Sequence, residues 1–331
     1  MKVLLSRVDS IGDVILTLPM AGIIKKFQPY TTVAFLGNSD TRPLIEKCRF
    51  IDEYYNWTTI EEQKGDLRFI AADTIIHVFP QSKIAKVAKK SGIKTRIATS
   101  HRLYHWGTCN KLIHFGRKKS DLNEAQLNLM LLKGMGIKIQ LSLQELPDYY
   151  GWSAPQIIPQ QVSNLLSADL FNLILHPKSK GNAQEWPPDK FYALAQELPQ
   201  NKYRIFISGT AQEGEELQKQ CPDIFKLPHV VNIGGKFNLE DFITFVQCAD
   251  GLLACSTGPL HIAAASGINA LGLYPSVRPM NVERWGPIGK RASWIVDVDS
   301  QPAKGNNIYL NDIPVQQVKN HISSWEKIKH I

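Results

Sequence analysis

The chain has 331 residues, 44% hydrophobic and 21% charged, values of a globular protein with a sizeable core, and its length suits two α/β domains of about 150 residues each better than one. No run of about 18 or more apolar residues occurs, and the amino-terminal apolar run is broken at once by Ser6, Arg7 and Asp9, so neither a membrane-spanning helix nor a signal peptide is expected. The net charge of +8 favours anionic partners such as nucleotide phosphates or anionic lipid, and five dispersed cysteines, without a CxxC, argue against disulfides or a structural zinc.

In chain order, 2–8 reads as a short buried strand. A tight loop at 9–12 follows, and then a helix that Asp13 opens and that runs to about residue 27. Strands are expected at 31–37, 73–79 and 96–98, and a helix with apolar residues at helical spacing at 121–135. Between them, 83–94 carries five lysines, followed by Arg96 and Arg102: a solvated helix face, or a surface that meets an anionic membrane or acceptor. Residues 137–168, with Pro147, Pro155 and Pro159, form the linker candidate. Beyond it the alternation restarts. Strands are expected at 172–176, 203–208, 230–233, 251–254 and 270–274, and helices from 187 and over 213–219, 239–248 and 258–266. An amphipathic helix over 312–329 closes the chain. Strands alternating with helices predict doubly wound parallel sheets with ligand loops at the carboxyl ends of the strands.

Four stretches carry chemistry. In Arg7-Val-Asp9-Ser-Ile-Gly12-Asp13, a carboxylate stands where a helix begins after a strand. Asp13 is there either a helix cap or a weak base facing a ligand. The stretch lacks the glycine spacing of a dinucleotide fingerprint. In Ser256-Thr257-Gly258-Pro-Leu-His261, a strand runs into a helix start whose amides suit a diphosphate. Gly258 permits close approach, the hydroxyls of Ser256 and Thr257 add donors, and His261 lies one turn in. The bland alternative is a hydroxyl-capped core helix. In His176-Pro-Lys178-Ser179-Lys180 to Trp186-Pro187, lysines in a strand-end loop suit phosphate oxygens, or form an exposed basic loop. Glu213 and Phe237, on neighbouring loops, are candidates for ribose hydroxyls and for the face of the base.

Taken together these stretches resemble the family-nine glycosyltransferases, best known for the lipopolysaccharide heptosyltransferases. The pattern Arg7-x-Asp9-x-Ile11-Gly12-Asp13 with Leu16-Thr17-x-Pro19, then His176-Pro, Trp186-Pro, Gly209-Thr with Glu213, Ser-Thr-Gly-Pro-Leu-His at 256–261, and Tyr274-Pro-Ser fall in the family's order. The resemblance implies a GT-B type fold, two Rossmann-like domains facing a central cleft, with 1–160 binding acceptor, 161–311 binding nucleotide sugar, and 312–331 a helix that would cross back to the first domain. It implies inversion at the anomeric carbon, with Asp13 as base and Asp9 and Gly12 in the acceptor loop. Lys178, Ser179, Lys180, Glu213, Phe237, Ser256, Thr257, Gly258 and His261 would hold the donor. No metal or cofactor is expected beyond the donor, for which ADP-heptose is the family's signature. Two positions depart from the heptosyltransferases. The lysine before Trp-Pro is Gln184 and the acidic residue before Thr-Gly is Ser256, which leaves Lys178 or Lys180 to replace the lost cation.

The partners expected are a nucleotide sugar and a lipid-linked or glycan acceptor, with peripheral contact at the cytoplasmic face of the inner membrane and no nucleic acid. The competing reading is an inactive or regulatory nucleotide-binding homologue of the same fold.

Overall fold

A computed structural model describes residues 1–63, 65–117, 120–179, 181, 183–300 and 309–328. The chain divides into two compact units, Met1–Ser153 and Ala154–Ile331. The division falls inside the proline-containing stretch 137–168. Its first part packs on unit one, where Tyr150 is buried and its carbonyl lies 3.1 Å from the Cys48 thiol.

Unit one holds strands β1 (Lys2–Ser6), β2 (Thr32–Gly37), β3 (Glu53–Asn56), β4 (Thr74–His77), β5 (Thr95–Thr99) and β6 (Lys111–Ile113), in the order β3-β2-β1-β4-β5-β6. Unit two holds β7 (Phe171–His176), β8 (Tyr203–Ile207), β9 (Val230–Asn232), β10 (Gly251–Cys255), β11 (Asn269–Pro275) and β12 (Ala292–Asp297), in the order β12-β11-β10-β7-β8-β9. Neighbouring strands are parallel throughout both sheets. Counted from each unit's first strand, the two orders are the same doubly wound order, so each unit is a Rossmann-like α/β domain, as the sequence predicts. Central strands carry continuous apolar runs, as sheets covered on both faces require: Val3, Leu4 and Leu5 in β1 and Leu252, Leu253 and Ala254 in β10 are fully buried. β3, β6 and β12, which the sequence reading did not find, are edge strands of half-buried mixed residues.

Two expectations are corrected. The first long helix is two pieces, Ile11–Ile15 and Pro19–Phe27, because Pro19 has no N–H to carry the hydrogen-bond ladder across the junction. The last helix, Val315–Ser323, belongs to unit two instead of returning to unit one. Val318 and Ile322 enter that unit's core, and Trp325 just beyond stacks on Phe171 with centroids 6.2 Å apart. Gly251 makes this possible, since a Cβ there would lie 2.6 Å from the Trp325 ring. Among the described residues no helix is long and apolar enough to cross a membrane.

Candidate active site

In open α/β sheets, ligands sit outside the carboxyl ends of the strands where the strand order reverses. In unit one that point lies between β1 and β4. The loop leaving β1 begins with Arg7, only 3% exposed, whose guanidinium is shared among three carboxylates. Nε donates to Asp9 Oδ1 (2.8 Å), one terminal nitrogen to Asp13 Oδ1, and the other to Glu124 Oε1 (3.2 Å). Ser10 Oγ donates to the second oxygen of Asp13. Asp13 stands in the first turn of the helix Ile11–Ile15, where helix polarity favours an anion, and keeps 17% of its side chain exposed. Gly12 precedes it in that helix, and Asp9 lies in the loop just before.

The chain just after β4 contributes the next layer. Phe79 lies under Arg7, 5.9 Å from the guanidinium carbon. Arg117 joins the cluster by donating to Glu124, to Asn128 Oδ1 (3.0 Å) and to the Val78 carbonyl (3.3 Å). Asn128 donates in turn to the Leu16 carbonyl (3.2 Å). Burial, with the charge of Asp13 adding to it, pushes the Asp9 carboxyl up to about 6 against the pull of Arg7. Burial works against the Arg7 charge too, but Asp13, Asp9 and Glu124 outweigh it and the net shift is upward. Two arginines face three acids, so the cluster is one positive charge short when every group is ionised. His77, the β4 register partner of Ser6, is buried beside the cluster's strands with no hydrogen bond to either ring nitrogen among the described residues. Burial, aided by His105 and Arg96, pushes it down to about 3.

In unit two the order reverses between β7 and β10. There the helix Gly258–Ser266 begins directly after β10. Thr257 is its N-cap in extended conformation, yet its hydroxyl caps nothing and has no partner among the described residues. The first-turn amides are thus left without a side-chain acceptor. His261 is buried one turn in, and Ser256 bonds the Tyr274 hydroxyl, which itself donates to the Trp285 carbonyl (2.7 Å). The loop leaving β7 is tied to this end by the Trp186 amide, 3.2 Å from the Cys255 sulfur. Lys178, buried, donates to Glu185 Oε2 (2.8 Å), while the Ser179 amide and hydroxyl reach Glu185 Oε1 (2.8 and 3.0 Å).

Residues 67–308 match the model of the family described as glycosyltransferase family 9 (heptosyltransferase). The chain belongs to glycosyltransferase family 9. A "putative glycosyltransferase" of Haemophilus influenzae is 29% identical over 310 residues, covering 87% of this chain and 86% of that one. Lipopolysaccharide heptosyltransferase 3 of Escherichia coli is 20% identical over 93% of this chain and 94% of its own. Among solved structures, E. coli ADP-heptose lps heptosyltransferase II superposes with a TM-score of 0.76 at 18% identity, covering 98% of both chains. E. coli heptosyltransferase WaaC with ADP superposes at 0.68 and 15%, covering 98% of this chain and 99% of that one.

Within this family-nine chain, the structure draws together Asp9, Gly12 and Asp13 in unit one. It draws together Lys178, Ser179, Ser256, Thr257, Gly258 and His261 around the β7–β10 junction in unit two. Lys180 lies outside the described residues. Glu213, expected to meet ribose hydroxyls, also serves its own helix. It closes a capping box, its Oε2 accepting from the Thr210 amide (2.7 Å) while the Thr210 hydroxyl accepts from the Glu213 amide, so that one carboxylate oxygen is tied to its own helix start. Phe237 packs against Phe245 with ring centroids 5.2 Å apart and stays half-buried at the end of its loop. Four residues of the first cluster or its surround escaped sequence reasoning: Glu124, Arg117, Asn128 and His77. The one visible signal was Asn123-Glu124 at a helix start, which reads as an ordinary cap.

Proposed function

We propose that this glycosyltransferase is inverting and moves heptose or a related sugar from a nucleotide-diphosphate donor, with ADP-heptose the first candidate, to a lipopolysaccharide core or other cell-surface glycan. The observation that carries the reading is the setting of Asp13, a partly open carboxylate held from both oxygens by Arg7 and Ser10 at the switch point of its sheet. Each oxygen keeps a lone pair for an incoming hydroxyl. The acceptor O–H would give its proton to Asp13 as the oxygen forms a bond to the anomeric carbon. The bond from that carbon to the diphosphate breaks on the opposite face, and the pair of electrons leaves with the diphosphate. The leaving charge would be met in unit two by the helix amides around Gly258, the unpartnered Thr257 hydroxyl and the Lys178 ammonium, whose two remaining protons are not used by Glu185. No metal enters this reading. The adenine preference is supported by the likeness to E. coli heptosyltransferase WaaC, whose structure contains ADP.

Purified protein is incubated with ADP-heptose and a truncated core acceptor, and the anomeric configuration of the product is read by NMR. Inversion is expected. Asp13→Asn should lose transfer while ADP still raises the melting temperature. Retention of configuration would overturn the mechanism. A thermal shift with another nucleotide, and none with ADP, would replace the donor.

A further inference from the structure

The positive charge of this protein is concentrated in one segment. Residues 74–120 hold 11 of the 38 lysines and arginines and none of the 30 acidic residues, so the rest of the chain is net acidic by three charges. The segment builds β4 to β6 with the helices Ser82–Lys90 and Leu103–Thr108. Both helices are short, and the second turns its apolar side chains outward. Leu103 is 91% exposed and Trp106, one turn on, is 67% exposed. They are among the largest apolar side chains given to solvent anywhere in the chain.

The basic residues are fastened to the same region. Lys89 Nζ donates to the Gly107 carbonyl (2.8 Å), Asn110 bonds the Lys94 carbonyl (2.7 Å), and Arg96 Nε donates to the Thr108 carbonyl (2.6 Å). The Trp106 indole N–H donates to the Ser100 carbonyl (3.0 Å), which fixes the ring in its outward pose. Lys83 is paired with Glu61. Lys86, Lys90, Lys94, Arg102 and Lys111 are exposed and have no ion pair among the described residues.

We infer that this face of unit one docks on the surface of an anionic phospholipid bilayer, with Leu103 and Trp106 entering the headgroup boundary and the surrounding lysines neutralising lipid phosphates. A polyanion alone would account for the lysines but would gain nothing from a solvent-exposed leucine. A bilayer accounts for both, because aliphatic side chains gain from the acyl edge and tryptophan prefers the interface. The inference goes beyond the transfer reaction and does not depend on the identity of the donor or acceptor.

The test is sedimentation of the full chain with vesicles of phosphatidylcholine alone, or with about one third phosphatidylglycerol. Binding is expected only to the anionic vesicles and should fall as NaCl is raised. Lys86→Gln/Lys90→Gln/Lys94→Gln should weaken it on the order of a hundredfold. Leu103→Ser/Trp106→Ala should weaken it about tenfold or more, with an unchanged melting temperature, since both side chains face solvent. No binding, or equal binding to both vesicles, would overturn the inference. So would a Leu103→Ser/Trp106→Ala protein that binds like the parent, which would mark the face as a general polyanion site. Transfer to a water-soluble acceptor, measured in parallel, should be the same in both variants, so failure of docking and failure of catalysis are read separately.

Discussion

The two switch points of this molecule share a topology and differ in chemistry. At the β1–β4 junction, five ionised groups interlock. Arg7 touches Asp9, Asp13 and Glu124, and Arg117 backs Glu124. At the β7–β10 junction a single ion pair, Lys178–Glu185, stands beside helix amides and the Thr257 hydroxyl, which has no partner among the described residues. A group that must hold a proton acceptor in one pose is well served by a rigid ionic frame. A group that must accept an anionic leaving group and then release it is better served by dipoles beside a cation whose charge is already shared with a carboxylate. On the proposed reading, the difference would give acid–base work to unit one and anion binding to unit two.

The comparison can be broken by substitution. Asp13→Asn keeps the shape and removes the base, and should cut the transfer rate about 10²–10⁴-fold with little change in nucleotide affinity. An equal loss of affinity would blur the division of labour. Arg7→Met should destabilise unit one by about 3–5 kcal/mol, because three acids lose their shared partner in a buried setting. Urea unfolding measures this, and a loss under about 1 kcal/mol would mean that the cluster is not the frame described here. Thr257→Ala should weaken ADP or ADP-heptose binding about tenfold, the worth of one hydrogen bond to a charged group. Stability should stay level, since Thr257 caps nothing. Calorimetry and a melting curve separate the two outcomes.

Smaller effects sharpen the contrast. Asp9 holds its proton more tightly folded (about 6) than unfolded (3.8), so its contribution is full below about pH 4 and is lost as pH rises through 6. The melting temperature of Asp9→Asn relative to the parent should therefore rise between pH 5 and about 7.5, and a flat difference would show that Arg7 compensates Asp9 fully. Chelation with EDTA should leave the transfer rate unchanged. A rate restored only by added magnesium would mean that amides and Lys178 are not sufficient for the diphosphate.

How much of this was legible beforehand follows from the range of each interaction. The buried strands of both units were readable, because a sheet covered on both faces demands continuous apolar runs such as 251–254. The helices 239–248 and 258–266 were found at the bounds the structure gives them: Asn238 and Thr257 are capping types that open them, and Gly267 in the left-handed conformation closes the second. Edge strands β3, β6 and β12 were not, because a half-buried edge needs no such run. The site was legible where a loop carries its own motif, as at Asp13 and Thr257. It was not legible at Glu124, which meets Arg7 across 117 positions of sequence.

The sequence by itself determined the alternation of strand and helix, the doubly wound class and the places where strands end in Gly, Ser, Thr or Asp, because these follow from periodicity and from turn and cap chemistry within a few residues. Only the tertiary structure decided which side chains share a charge, that Thr257 leaves its hydroxyl unspent, that the last helix stays with unit two, and that Leu103 and Trp106 face outward beside the lysines. Those outcomes depend on what packs against what, and burial sets both the strength of an ion pair and the exposure of an apolar side chain.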